Sequence, residues 1–194
     1  HPALPYAAIP IFMEELRSRG GIAPCALEFV ILTAARTGEG LGARWEEIDQ
    51  GQRMWTIPAE RMKASKVHRV PLSSRAVAIV SEMVRIRQNE FVFPGMNPGK
   101  PLSDMSLLML LRELRKGITT HGFRSTFKDW AAECTNTPNF VSEAALAHIV
   151  ADKVEAAYRR ADLLERRRVL METWADFCAG KPALGEIIHL ERRG

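Results

Sequence analysis

Apolar residues along this chain recur mainly at helical spacing, with one interval where the period shortens to that of strands. Residues 9–19 are periodic and close on Gly20-Gly21, a helix-ending signal. Residues 24–35 are almost continuously apolar, with Leu27, Val30, Ile31 and Ala34 on one face. That run predicts a buried helix with Pro24 in its first turn. Residues 45–48, 54–57 and 68–72 are short segments parted by polar turns such as Asp49-Gln50-Gly51-Gln52, and they predict a small antiparallel meander. Helices are expected again over 73–87, with Ser73 or Ser74 as cap, over 103–116, and from Thr119 or Thr120 onward. In the last of these, Phe123, Phe127, Trp130, Ala131 and Cys134 form one apolar stripe. Residues 140–148 and 163–179 complete the helical set; the latter is amphipathic through Leu164, Val169, Met171, Trp174 and Phe177. The pattern predicts an α+β fold, mainly α-helical, with a small three-stranded antiparallel sheet at one edge.

Composition narrows the class. In 194 residues, 46% are hydrophobic, enough for one substantial domain and too many for a disordered chain. No apolar stretch reaches bilayer-spanning length, and the opening HPALPYAAIP lacks the marks of a secretory signal. Its prolines make residues 1–8 read as an inter-domain linker from a missing upstream region. The domain proper is expected over 9–180, with a tail over 181–194 whose centre, 184–190, is apolar. Cys25, Cys134 and Cys178 are odd in number and widely spaced, and are expected as buried, reduced thiols of a cytoplasmic protein. The net charge of +4 is modest, but basic residues cluster. Arg61, Lys63, Lys66, Arg69 and Arg75 form one run, and Arg112, Arg115, Lys116, Arg124 and Lys128 a second. Such local surpluses suit a polyanion, foremost a nucleic acid, although solvated surface charge produces the same pattern.

A few residues fit packing less well. Arg36 closes the apolar 24–35 run and needs a partner: Glu39 alone, or Glu39 together with a bound phosphate. His121 and Arg124 emerge together at a helix start, where free N–H groups and the helix dipole already favour anions. Lys63 lies in the connection between the second and third strands, solvated or lowered into a DNA groove. The stretch LAHIVADKVEAAYRR places His148 ahead of Tyr158, Arg159 and Arg160. Tyr158 is either an aromatic covering a core edge or a phenolic nucleophile beside phosphate-holding groups.

Taken in order, Arg36, Lys63, His121-x-x-Arg124, His148 and Tyr158 resemble the catalytic domain of the tyrosine recombinases, the phage-type integrases. The phrases TAARTGE-x-LGARWEEID, MKASKVHRVPLS, THGFRSTFKDWAAE and LAH-x9-YRR resemble integrases of prophages and genomic islands in particular. The resemblance runs from about residue 9 to 179 and implies a fold of the DNA breaking-rejoining type. It assigns Arg36 and Arg124 to the non-bridging phosphate oxygens and Tyr158 to nucleophilic attack. His148 or His121 would assist loss of the phenol proton or stabilise the phosphate. Lys63 would protonate the leaving 5′ oxygen, with Lys66 its rival by proximity, and Glu39 would support Arg36. Lys66, Arg69, Lys128, Arg159 and Arg160 are the expected DNA contacts.

The implied product is a 3′-phosphotyrosyl link, reached with neither metal nor ATP, and no carboxylate cluster, Cys/His spacing or phosphate-cradling glycine loop suggests a cofactor. Implied partners are double-stranded attachment-site DNA and a homo-tetramer on it, with a monomer for the isolated chain, in the nucleoid of a bacterial host. The tail would dock on a neighbouring protomer or fold back on its own domain. A type IB topoisomerase-like relaxer and a non-catalytic DNA-binding or excision regulator are the alternatives. Gly40 departs from the family pattern, which has a larger residue there, and predicts a looser turn presenting Arg36.

Overall fold

A computed structural model describes residues 1–148 and 163–181. Its centre is the helix α2 (Ile22–Thr33), and it is buried because its sequence leaves no polar face: Leu27, Phe29, Val30, Ile31 and Leu32 are all inside. Around it pack α1 (Ile9–Arg17), α3 (Thr37–Leu41), α4 (Ser74–Val84), α5 (Asp104–Leu114), α6 (Gly122–Cys134) and, from the second described segment, α8 (Leu164–Cys178). The short α7 (Asn139–Ala145) lies against α6 and α8. The one charge within α2, Glu28, is nearly fully buried and accepts from Arg17 Nε (2.7 Å) and from Arg75 Nε and Nη2 (both 2.9 Å). This two-arginine grip compensates a carboxylate that would otherwise be costly inside, and it ties α1 and α4 to α2.

The sheet has the expected three strands in the order β1 (Ile48–Asp49), β2 (Met54–Ile57) and β3 (His68–Pro71), all antiparallel. Trp55 pairs with Val70 and Ile57 with His68. The first strand is shorter than the apolar pattern predicts, because Trp45–Glu47 is a 3-10 turn. Glu47 turns inward there, accepting from Trp55 Nε1 (2.9 Å) and Arg61 Nη1 (2.6 Å). Two further expectations need correction. Val169 is exposed on α8, and its place in the interior goes to Arg167, which donates from Nη1 to the Arg69 carbonyl (2.6 Å) on β3. Cys134 is exposed at the end of α6, Cys25 is half-buried and only Cys178 is fully enclosed; all three are free thiols.

At the other end of α6 the chain's first residues cross over the helix. Thr119 N–H donates to the Pro2 carbonyl (3.1 Å) and Thr126 Oγ1 to that of Leu4 (2.6 Å). The crossing needs glycine at 122, since a Cβ there would stand 2.1 Å from Pro2 O and 2.9 Å from Ala3 Cα. Gly122→Ala would gain up to about 1 kcal/mol of helix propensity. The backbone collision outweighs that gain, because overpacking costs roughly 1–3 kcal/mol. A urea titration is therefore expected to show a lower midpoint for Gly122→Ala; an unchanged or raised midpoint would contradict this packing.

The segment carrying Tyr158, Arg159 and Arg160 and the tail beyond residue 181 lie outside the described residues. Among the described residues no helix is long and apolar enough to cross a membrane.

Candidate active site

Two helices end at the same place, and Arg124 fills the gap between their ends. Helix α2 stops at Ala34, which adopts a left-handed conformation (φ 49°). Helix α7 stops in a Schellman turn: Ala147 is left-handed (φ 51°), its N–H reaches the Ala144 carbonyl, and the His148 N–H returns to Glu143 O (3.0 Å). Helix ends leave unpaired carbonyls and a partial negative charge. Arg124, from the first turns of α6, donates to both: Nη1 to Ala34 O and Nη2 to Leu146 O (2.7 Å). The same Nη2 lies 3.1 Å from His148 Nε2. Burial lowers the Arg124 pKa, and the neighbouring charge of Arg36 lowers it further, to about 10. The helix ends hold the guanidinium, while desolvation and the neighbouring charge of Arg36 work against its cationic form, and a bound anion would relieve both.

Arg36 is held from the other side. Past Ala34 the chain extends, and Arg36 becomes the cap of α3 rather than the end of α2. Its N–H donates to Glu39 Oε2 (2.9 Å) and its Nη1 to Glu39 Oε1 (2.7 Å), so the carboxylate of Glu39, buried beneath it, accepts both the cap residue's backbone and its side chain. Gly40 does not loosen this turn. A Cβ at 40 would stand 2.5 Å from Val30 Cγ2, so the glycine lets α3 lie directly on α2.

Lys63 is exposed in the β2–β3 connection, after the 3-10 turn Ala59–Arg61. That connection is fastened by Arg61, whose Nη2 donates to Glu39 O (2.6 Å) while Nη1 grips Glu47. Lys63 and Ala64 consequently share with Arg36, Glu143, Ala147 and His148 the lining of an open cavity of about 430 Å³. His121 caps α6 and remains exposed, yet partial burial, then the charges of Arg124 and Arg36, lower its pKa.

Residues far apart in sequence are therefore brought together: Arg36, Lys63 and His148 line the cavity, Glu39 and Arg124 are buried beside Arg36 and His148, and His121 lies within reach of the charges of Arg124 and Arg36. Lys66 is exposed on the β2–β3 connection, and Arg69 on β3. Lys128 is turned inward: its ammonium meets Asn139 Oδ1, Ser142 Oγ (2.9 Å) and a Glu143 carboxylate oxygen, which occupies its three donors. Much of the basic surplus along the chain is likewise engaged internally, Arg61 with Glu47, Arg75 with Glu28 and Arg115 with Glu15. Two participants escaped the sequence reading. Arg61 looked like part of a charge run, and Glu143 carried no signal in the sequence. A glutamate five positions before a histidine does not share a helix face with it; only the left-handed turn at Ala147 brings the two together.

The fold is that of tyrosine recombinase catalytic domains. An integrase from mycobacterium phage Brujita superposes with a TM-score of 0.64 at 21% identity, over 84% of this chain and 55% of that one. The XerH site-specific recombinase, bound to its difH substrate in a pre-cleavage complex, gives 0.63 at 15% identity over 82% and 53%. The chain belongs to the phage integrase family, whose model matches residues 9–163. Among curated relatives it is 39% identical to prophage integrase IntA of Escherichia coli K12 over 78% of this chain and 38% of the relative. It is 38% identical to prophage integrase IntZ of the same organism, over 89% of this chain and 44% of the relative. The chain thus spans less than half the length of either relative.

Proposed function

We propose that this chain is the catalytic part, residues 9–180, of a site-specific DNA recombinase that integrates and excises a prophage or genomic island. The observation that carries the reading is Arg124. Desolvation and the charge of Arg36 disfavour the cationic form of its buried guanidinium, which lies beside a cavity lined by Arg36, Lys63 and His148. A DNA phosphate is the anion such an arrangement fits, and Arg36 and Arg124 would neutralise the charge that builds on its non-bridging oxygens.

In the proposed reaction Tyr158 gives its phenol proton to His148 or His121 and its oxygen attacks phosphorus. The P–O5′ bond breaks, and Lys63 protonates the leaving 5′ oxygen. The product is a 3′-phosphotyrosyl link and a free 5′ hydroxyl. Attack by a 5′ hydroxyl of another strand reverses the step. One ester replaces another, so ATP is not consumed, and the guanidiniums supply the charge neutralisation for which other enzymes use metals. Glu39 supports Arg36, while Lys66, Arg69, Arg159 and Arg160 face the DNA backbone; the Lys128 contact weighed with them is the weakest, given its inward partners. Residues 1–8 lead from the DNA-binding regions of the full-length protein, four protomers assemble on paired sites, and the 181–194 tail docks on a neighbour.

The test is a nicked suicide DNA substrate resolved on a denaturing gel. Wild type is expected to give a covalent adduct and Tyr158→Phe none; adduct surviving that substitution would overturn the assignment of the nucleophile. Resolution of a synthetic Holliday junction by the same protein would separate a recombinase from a relaxer.

A further inference from the structure

Glu143 is not among the groups assigned to the phosphate, yet it contacts the imidazole of His148, which is bonded to Arg124. The Schellman turn at Ala147 folds His148 back so that Nδ1 lies 2.8 Å from Glu143 Oε2, while Nε2 lies 3.1 Å from Arg124 Nη2. A guanidinium has donors only, so Nε2 must be the acceptor in that contact. The ring proton is therefore on Nδ1 and is donated to the carboxylate. The other Glu143 oxygen is ion-paired with Lys128, itself held by Ser142 and Asn139. Desolvation raises the Glu143 pKa, but hydrogen bonds from Lys128 and His148 outweigh it and keep the group below the usual carboxylate range. Besides Glu143, the charged groups near His148 among the described residues include Arg124 of α6, Arg36 before α3 and Lys63 of the β2–β3 connection, with His121 at the start of α6.

We propose that Lys128 and Glu143 are a positioning pair that locks His148 in its Nδ1–H tautomer, leaving Nε2 an acceptor beside Arg124 at the reaction cavity. The inference rests on the function proposed above, where an accepting Nε2 is able to take the phenol proton of Tyr158. A ring protonated at Nε2 would instead point a donor at Arg124's donors. A histidine held in one tautomer by a carboxylate behind it is a recurrent device in acid–base catalysis, and the wrong tautomer is costly.

The pair predicts an unusual effect of an isosteric change. In Glu143→Gln, Lys128 can only donate, so it draws the amide oxygen toward itself and turns the amide NH2 toward His148. Nδ1 must then accept, and the ring switches to the Nε2–H tautomer. Replacing Lys128 by methionine in the same chain frees the amide to rotate and offer its oxygen to Nδ1–H.

Long-range proton–nitrogen NMR of histidine-labelled protein reads the tautomer directly, with the His148 signal assigned by its loss in His148→Asn. Wild type is expected as Nδ1–H, Glu143→Gln as Nε2–H, and the Glu143→Gln/Lys128→Met protein as Nδ1–H again. Adduct formation on the suicide substrate should fall about a hundredfold in the single variant and recover at least about tenfold in the double. Wild type found as Nε2–H, or Glu143→Gln retaining Nδ1–H, would overturn the positioning pair. A switched tautomer with undiminished cleavage would overturn its role in the reaction. Wild type that forms no adduct at all would sink the proposed function, while the NMR result would still decide the tautomer lock.

Discussion

Arg124→Ala is expected to lower the rate of covalent strand cleavage by roughly 10²–10³-fold or more, the usual loss when a positioned donor to a developing oxyanion is removed. It should do so without unfolding the chain. The side chain holds the Ala34 and Leu146 carbonyls and His148 Nε2, and each buried acceptor left unpaired costs about 1–3 kcal/mol. Working against that loss is the relief of a desolvated cation beside Arg36, the same strain that pushes the Arg124 pKa down to about 10. The net destabilisation is therefore expected at the lower end, about 1–3 kcal/mol, inside the usual folding margin. Arg124→Lys keeps a charge but cannot reach two helix ends and an imidazole at once, so it should be nearly as inactive. Single-turnover adduct formation, measured beside a urea titration, checks both halves. Cleavage within about threefold of wild type in Arg124→Ala would remove the phosphate from Arg124.

Trp174→Ala should show the opposite balance, a large loss of stability with cleavage affected only through the folded fraction. Trp174 is fully buried on α8, with its ring 4.8 Å from Trp130, 5.6 Å edge-on to Phe127 and stacked on Phe177 at 5.9 Å. Its Nε1 donates to Ile31 O (2.9 Å), joining α8 to the central helix. Removing such a side chain costs about 3–5 kcal/mol, a large share of a typical domain's 5–15 kcal/mol. Trp174→Phe would keep most ring contacts and remove only the indole donor from Ile31 O, which still accepts from the Ala34 N–H (3.2 Å), for a loss of about 0.5–1.5 kcal/mol. A denaturation midpoint unchanged in Trp174→Ala would contradict the packing of α8 on α2.

The two variants separate what the chain's pattern reveals from what it conceals. Helix α2 was readable because it is apolar on every side, and the sheet because three short apolar segments sit between polar turns. The α8 interior was misassigned at Val169 and missed Arg167, since periodicity ranks residues by polarity and cannot see that β3 offers an arginine a carbonyl. Trp45–Glu47 forms a turn rather than strand because Glu47 is drawn inward by Trp55 and Arg61, partners 8 and 14 residues away. At the site, Arg36, His121 and Arg124 stood out as charges at helix boundaries, and the ordered motif tied them to Lys63 and His148. Glu143 and Arg61 did not stand out, because each acquires its partner only after a turn or a strand connection has folded. The expectation of a looser Arg36 turn failed for the same reason: the effect of Gly40 depends on Val30, which is near only in three dimensions.

The account depends most on the identity of the atom that attacks the phosphate. After reaction with a suicide substrate, nuclease trimming and protease digestion, mass spectrometry should find the nucleotide remnant on the peptide containing Tyr158, on the phenol itself. A remnant on Tyr6, on a serine or on a histidine would contradict the account, however well the arginines bind DNA.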